Sequence, residues 1–415
     1  MIKNRRPWLY SEFLLFFYVV SVVTLSASVG IHKISNLIGI VMVGVFFAEL
    51  IIRHKFSLSQ FKIKPFLPLV FLLLIQVIWL MPNPGVSDRV KTFAQIILLM
   101  MVVYNIVRLT ASTWNVEYGL LIGLAYIWYS GALSFSAFSV KDRFEFTLGG
   151  EQGLNTNIYG LYCCLYILFA LRYIFIGFLN HKKTLLSLGR LGIAVTGILI
   201  AAQQVLSVTG SRKGMIMLAI LSSGTYFLYT KGRFNILRII PALIAGLLAV
   251  LTVIYKIVTG AYFERFVGMF YGLKGQYSGE ASFDVRLQMI FNGLEMWFRS
   301  PLFGSGNEAF SLKGGFGTYS HSTPIELLAN YGILGFIGYY LFLFLAFRYT
   351  WGLFRSGNDY LRVYAIWCLL ALACITFWGL FAVCYYEKTV GMVLAVVVGL
   401  SHHYSGNSFF GRTYQ

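Results

Sequence analysis

Uninterrupted apolar stretches of about 20 residues, the length a helix needs to cross the hydrocarbon core of a bilayer, recur from one end of this chain to the other. Candidate spans fall at 11–31, 35–52, 66–82, 90–109, 116–138, 157–178, 191–208, 214–230, 236–258, 332–354, 361–384 and 388–402. Backbone polar groups find no water in lipid, so each run has to be helical. The pattern predicts an all-α integral membrane protein with about twelve transmembrane helices, organised as a single polytopic domain over residues 1–415. Composition agrees: 58% of residues are hydrophobic and 12% charged, against about 25% charged in a soluble domain. The first apolar run is too long for a signal-peptide core and lacks a small-residue cleavage site, so it reads as a span.

The formal charge of +18 does not point to nucleic acid, because the basic residues sit in short loops at alternate ends of the spans. That is the pattern of membrane topology. With Lys3, Arg5 and Arg6 in the cytoplasm, later inside loops hold Arg53, Lys55, Lys62 and Lys64, then Lys182, Lys183 and Arg190, then Lys231, Arg233 and Arg238, then Arg348, Arg355 and Arg362. This orientation predicts both termini in the cytoplasm and one long external segment, residues 259–331, between the ninth and tenth spans. The segment carries Phe263, Phe266, Phe270, Tyr271, Trp297, Phe303 and Phe310, enough apolar surface to pack on the bundle. Residues 283–299 have apolar positions at helical spacing, Ser282 as a candidate cap and Pro301 as a stop. Gly304, Gly306, Gly314, Gly315 and Gly317 read as loop. The five cysteines, Cys163, Cys164, Cys368, Cys374 and Cys384, have no zinc-like spacing and read as small core residues.

Three external basic residues have the chemistry for a site. Arg212 lies in the turn Thr209-Gly-Ser-Arg-Lys-Gly214, Arg286 near the start of the loop helix, and His321 just before the tenth span. A guanidinium is a planar fork matched to phosphate oxygens, and a helix N-terminus favours anions. The competing reading is that each arginine snorkels to lipid headgroups. Lys213 reads as a headgroup contact. His321 suits general-base work near neutral pH; Pro324 fits a first helical turn, with Ser322 or Thr323 as cap. A His on the loop side of a helix N-terminus is held neutral. Arg265, beside Glu264, is a further candidate for glycan binding or a surface ion pair. Asp284, Glu295 and Glu308 read as structural or sugar-binding. Tyr262, Tyr271, Tyr277 and Trp297 read as core packing or sugar stacking. The charged loop 139–157, with Lys141, Asp142, Arg143, Glu145, Glu151, Asn155 and Asn157, is a solvated loop or lines an acceptor route.

The string His321-Ser322, nine residues, Gly332, two residues, Gly335 resembles the loop signature of the O-antigen ligase and O-antigen polymerase family of bacterial surface-polysaccharide enzymes. The Gly-Ser-Arg212-Lys-Gly turn and Ser-x-Asp-x-Arg286, followed by Pro301-Leu-Phe-Gly-x-Gly306, resemble that family as well. Ser322 stands where many members carry Asn. The resemblance implies a fold similar to the multi-span glycosyltransferases with lipid-linked donors. It implies transfer of a glycan from an undecaprenyl-diphosphate carrier to an acceptor hydroxyl, with no nucleotide sugar, no cofactor and no essential metal. His321 would deprotonate the acceptor. Arg212 and Arg286 would bind the diphosphate and stabilise the leaving charge, with Arg265 and Ser322 also contacting substrate. Attack opposite the leaving group would invert the anomeric centre. The implied location is the bacterial inner membrane with the site on its external face, and the implied products are O-antigen, lipopolysaccharide or capsule. A chain-length regulator protein is an implied partner.

Two acceptors stay open. A polymerase adds the glycan to a lipid-linked repeat unit, and a ligase adds it to lipid A-core or protein. The turn at Arg212 and the Ala-Asn-Tyr-Gly-Ile-Leu-Gly segment incline towards polymerase. A flippase or transporter for lipid-linked oligosaccharide is the reading from another class. It predicts ionisable residues near the membrane midplane, where few are expected here.

Overall fold

A computed structural model describes residues 9–25, 32–54, 61–81, 87–132, 156–179, 184–209, 211–232, 281–356 and 358–409, and no strand occurs among them. The helices are α1 (Tyr10–Leu25), α2 (His32–His54), α3 (Leu67–Ile78), α4 (Ser87–Thr110), α5 (Trp114–Ile127), α6 (Thr156–Arg172), α7 (Leu185–Ser207), α8 (Arg212–Thr230), α9 (Ala281–Arg299), α10 (Ala309–Lys313), α11 (Thr323–Arg355), α12 (Asp359–Leu380) and α13 (Lys388–Phe409). A 3-10 turn leads into α3, and π turns extend α5 and α6 to Ala132 and Phe178. Each apolar run of the sequence corresponds to one of these helices except 236–258, which lies outside the described residues, as do 26–31 and 133–138. Six helices, α2, α4, α6, α7, α11 and α12, are long and apolar enough to cross a membrane, and α1 and the stretch Lys64–Ile78 are shorter apolar helices. The chain is thus an all-α, multi-pass membrane protein.

The bundle has a tyrosine-rich centre. The most apolar window of α6 is 78% buried, against 17% for α7, so α6 runs through the interior while α7 turns most of its surface outwards. Buried polar tips find partners: Tyr159 donates to Gln204 Oε1 at 2.8 Å and accepts from Trp128 Nε1 at 3.1 Å, and Trp367 Nε1 donates to Leu168 O at 2.7 Å. Glu49 of α2 caps the start of α1, accepting from the main chain of Tyr10 and Ser11 and from Ser11 Oγ at 2.7 Å. All five cysteines are free and buried.

The loop helix forms as its spacing predicts, over Ala281–Arg299. Ser282 falls inside its first turn instead of capping it. What docks the following segment is a break in α11. Gly332 has φ 62° and ψ −163°, a region open essentially to glycine. The break frees two carbonyls, so Ser305 N donates to Ala329 O and Gly306 N to Asn330 O, each at 2.9 Å. On the other side, Ile333 N donates to Pro301 O at 2.8 Å. The seam is close: a Cβ on Gly332 would lie 2.4 Å from Leu302 O, and one on Gly304 would lie 2.4 Å from the Asn330 carbonyl carbon. Trp79 Nε1 and Asn307 Nδ2 add bonds to Phe303 O and Gln76 O at 3.1 and 2.8 Å, and Arg89 pairs with Glu308. Loop and membrane helices are therefore one packed unit along residues 300–334.

Candidate functional site

His321 occupies the last turn before α11, with a φ of 57°. A non-glycine side chain in the left-handed region costs about 1 kcal/mol or more, so neighbours must hold it there. Upstream, Ser320 N donates to Glu326 Oε2 at 2.7 Å, and Ser320 Oγ donates to Ser322 O at 2.9 Å. Glu326 is fully buried and also accepts from Asn330 Nδ2 at 3.2 Å. Downstream, Thr323 N and Oγ1 donate to Ala382 O at 3.1 and 2.7 Å, and Thr323 Oγ1 accepts from Cys384 N at 2.9 Å. The expected side-chain cap is not made: Ser322 holds the N-cap position without a capping bond, and the Thr323 hydroxyl ties α11 to the α12–α13 connection. Ser322 is buried, and its main chain serves the turn. The His321 ring is left half-buried against Tyr319, ring centroids 4.4 Å apart.

Two cations reach this imidazole. Arg286 projects from the second turn of α9 and is half-buried. Lys213, expected at the headgroups, is instead 8% exposed; its ammonium donates to Phe381 O and lies 5.6 Å from the Trp378 ring centroid. Burial, then the charges of Arg286 and Lys213, push the His321 pKa down to about 4. Burial, then Arg286, push Lys213 down to about 8. His321 is therefore neutral at physiological pH, mainly through burial and only secondarily through positive charge.

Arg212 opens α8, directly before Lys213, which sets its backbone at the same end of the bundle; its side chain lies outside the described residues. Ser211 caps that helix: Oγ accepts from Gly214 N at 3.4 Å and donates to Asn157 Oδ1 at 2.9 Å. Arg265, Tyr262, Tyr271 and Tyr277 lie outside the described residues, as does the loop 139–157 up to residue 155. Trp297 donates to Pro301 O at 3.1 Å, Glu295 pairs with Arg299 at 2.5 Å, and Glu308 pairs with Arg89.

One acidic group went unread in the sequence. Glu387, in the α12–α13 connection, has a pKa pushed up to about 7 by burial, against the pull of Lys388. Its charge reaches Tyr319 and Cys384. The available signal was an acid between an aromatic pair and a lysine at the edge of a span, Tyr385-Tyr386-Glu387-Lys388. The arrangement as a whole is a neutral imidazole beside two cations, with an acid that titrates near neutrality close by. Such a site can hold a polyanion and accept a proton.

The family model described as O-antigen ligase matches residues 198–340. No curated protein matches the chain. The matched stretch runs from within α7 into α11. It contains Arg212, Lys213, Arg286, His321, Ser322 and Gly332, while Phe381 and Glu387 lie beyond it. The chain is a multi-pass membrane protein whose residues 198–340 are similar to the O-antigen ligase family.

Proposed function

We propose that the chain is a surface-polysaccharide polymerase of the inner membrane, with both termini cytoplasmic and its site on the external face. It transfers a glycan from an undecaprenyl-diphosphate carrier to a hydroxyl of an acceptor lipid-linked repeat unit. What supports this reading is that the charges of Arg286 and Lys213 act on half-buried His321, within the stretch similar to the O-antigen ligase family. In the reaction the acceptor hydroxyl gives its proton to His321, and its oxygen bonds to the anomeric carbon with inversion. The anomeric C–O bond breaks, and its electron pair leaves on the diphosphate. Arg286 and Arg212 bind the diphosphate oxygens, and positive charge fixed there stabilises the leaving group as it develops. Charge shared among these cations takes the place of a metal in this reading.

The depressed pKa of His321 gives the donor a second role. An imidazole with a pKa of about 4 is unprotonated but a weak base. A bound diphosphate offsets the charges of Arg286 and Lys213 and raises the pKa, so the base strengthens when the donor is seated.

A second reading changes only the acceptor: transfer to lipid A-core, as a ligase. The description of the matched family favours it. Purified protein given lipid-linked repeat units alone separates the two. A ladder of polymer on the carrier supports polymerase; product only on addition of lipid A-core supports ligase; lipid movement across vesicles without transfer would support a flippase and remove both. Arg286→Lys in the same assay tests the donor contact, because an ammonium makes no bidentate bond. Near wild-type turnover in that variant would reduce the arginine's part to charge alone.

A further inference from the structure

At the end of the bundle away from His321, the start of α12 meets the ends of α4 and α6 and the starts of α5 and α7 around an open cavity of about 380 Å³. The length of α12, 22 residues, separates it from the His321 site by about 33 Å. Its polar lining includes Thr113, Glu117, Arg172 and Arg190. Arg190 is compensated: Nη2 lies 3.5 Å from Glu117 Oε2, and the guanidinium stands 4.2 and 4.7 Å from the Tyr173 and Tyr118 ring centroids. Arg172 is not. It makes no hydrogen bond or ion pair among the described residues, its Nε is buried without a partner, and its group contact is the Tyr364 ring at 5.4 Å. Two guanidiniums thus face one carboxylate, leaving a positive charge in excess.

A second feature points the same way. Thr113 is the N-cap of α5 but makes no capping bond. It is 2% exposed, and its Oγ1 has no hydrogen-bond partner. A buried hydroxyl left unpaired costs about 1–3 kcal/mol. It stands at the positive end of a helix, in the wall of the same cavity. Ile176, Phe178 and Leu186 give part of the wall an apolar character, and Leu185 and Leu186 are largely exposed.

We infer that this cavity binds a phosphate-bearing anion, held by the guanidinium fork of Arg172 and the hydroxyl of Thr113. The anion is either the headgroup of an anionic phospholipid, its glycerol and chains against the apolar wall, or a free phosphate. The site is independent of the glycan-transfer reading, since it shares no residue with the His321 end.

The test uses the full chain in detergent micelles, with melting temperature as the readout. Phosphatidylglycerol, phosphatidylcholine and inorganic phosphate are the probes. Phosphatidylglycerol is expected to raise the melting temperature where phosphatidylcholine does not, and Arg172→Gln to require roughly tenfold more of it, the loss of one charge-assisted contact. Lys91→Gln, an exposed lysine at the other end of the bundle, should behave as wild type. Protection by inorganic phosphate alone identifies a free phosphate as the ligand; protection by the lipid alone identifies a headgroup. If Arg172→Gln does not fold, Thr113→Val and Arg172→Lys carry the test, and weaker protection in either supports the site. No protection by any anion, equal loss in Arg172→Gln and Lys91→Gln, or wild-type protection in both substitute variants overturns it.

Discussion

At one end of the bundle a carboxylate and two tyrosine rings meet Arg190. At the other end Lys213 is more deeply buried and has a main-chain carbonyl and an indole face instead, with no ion pair among the described residues. The first cation is neutralised within the fold. The second keeps its charge and spends it on its neighbours, lowering the pKa of His321 together with Arg286. Burying a charge without a counter-ion is costly, and a fold that does so keeps the charge available for a ligand. The difference separates a guanidinium with a counter-ion from an ammonium that has only a carbonyl and an indole face more clearly than exposure does.

The largest effect that bears on this contrast is at His321. His321→Ala should lower turnover by roughly 100- to 10,000-fold, the range of general acid–base groups, with donor binding little changed. In wild type the acid limb of kcat/KM, which reports the free enzyme, should lie near pH 4, and the limb of kcat should lie higher because the bound diphosphate offsets the nearby charges. His321→Gln at near wild-type rate, with the acid limb intact, would reduce His321 to an anchor of the turn.

Next comes the seam. Gly332→Ala puts a Cβ against Leu302 O and forces a backbone region that costs about 1–3 kcal/mol for other residues. Residues 301–306 should detach, with turnover falling more than about tenfold and faster proteolysis within that stretch. Unchanged proteolysis would show that the loop is held by its side chains.

The two smaller effects set the ends against each other. Lys213→Met removes a positive neighbour that disfavours the imidazolium, so the acid limb of kcat/KM should move up from about 4 towards the ordinary His value of about 6.5. A limb that stays in place would show that burial and Arg286 hold His321 down without help from Lys213. Glu117→Gln leaves Arg190 without its carboxylate. The loss should be at most about 3 kcal/mol, the low edge for a broken buried pair, because Arg190 keeps partial solvent access. Glu117→Gln should lower the melting temperature more than Lys213→Met does; the reverse order would cancel the comparison.

Helices were legible in the sequence because a bilayer imposes one length and one polarity on every span. α6, α8 and α12 fall within a few residues of their apolar runs. The glycine-rich stretch was legible as loop, but its pairing with α11 was not, since main-chain bonds carry no residue signature beyond the glycines that permit them. Arg286 and His321 were singled out by type and position, and in the fold the charge of Arg286 acts on His321; their roles belong to the proposal. Lys213 was misread because its neighbours Trp378 and Phe381 come from the end of α12 and the residue after it, more than a hundred positions away. Glu117 and Arg172 escaped notice for a related reason: each sits at a span end, where one charge looks like topology, and only packing gathers them around a cavity.

The seam along residues 300–334 has a consequence for how such a loop diversifies. The bonds that join residues 301–306 to α11 run from backbone to backbone, so those bonds are blind to side-chain identity except at the glycines. Leu302 and Phe303 are 58% and 53% exposed and free of the seam's hydrogen-bonding duties except through their carbonyls. They can be exchanged for other residues without loosening the frame that carries His321. The exposed surface beside the seam can thus change while the main-chain frame leading to His321 stays as it is.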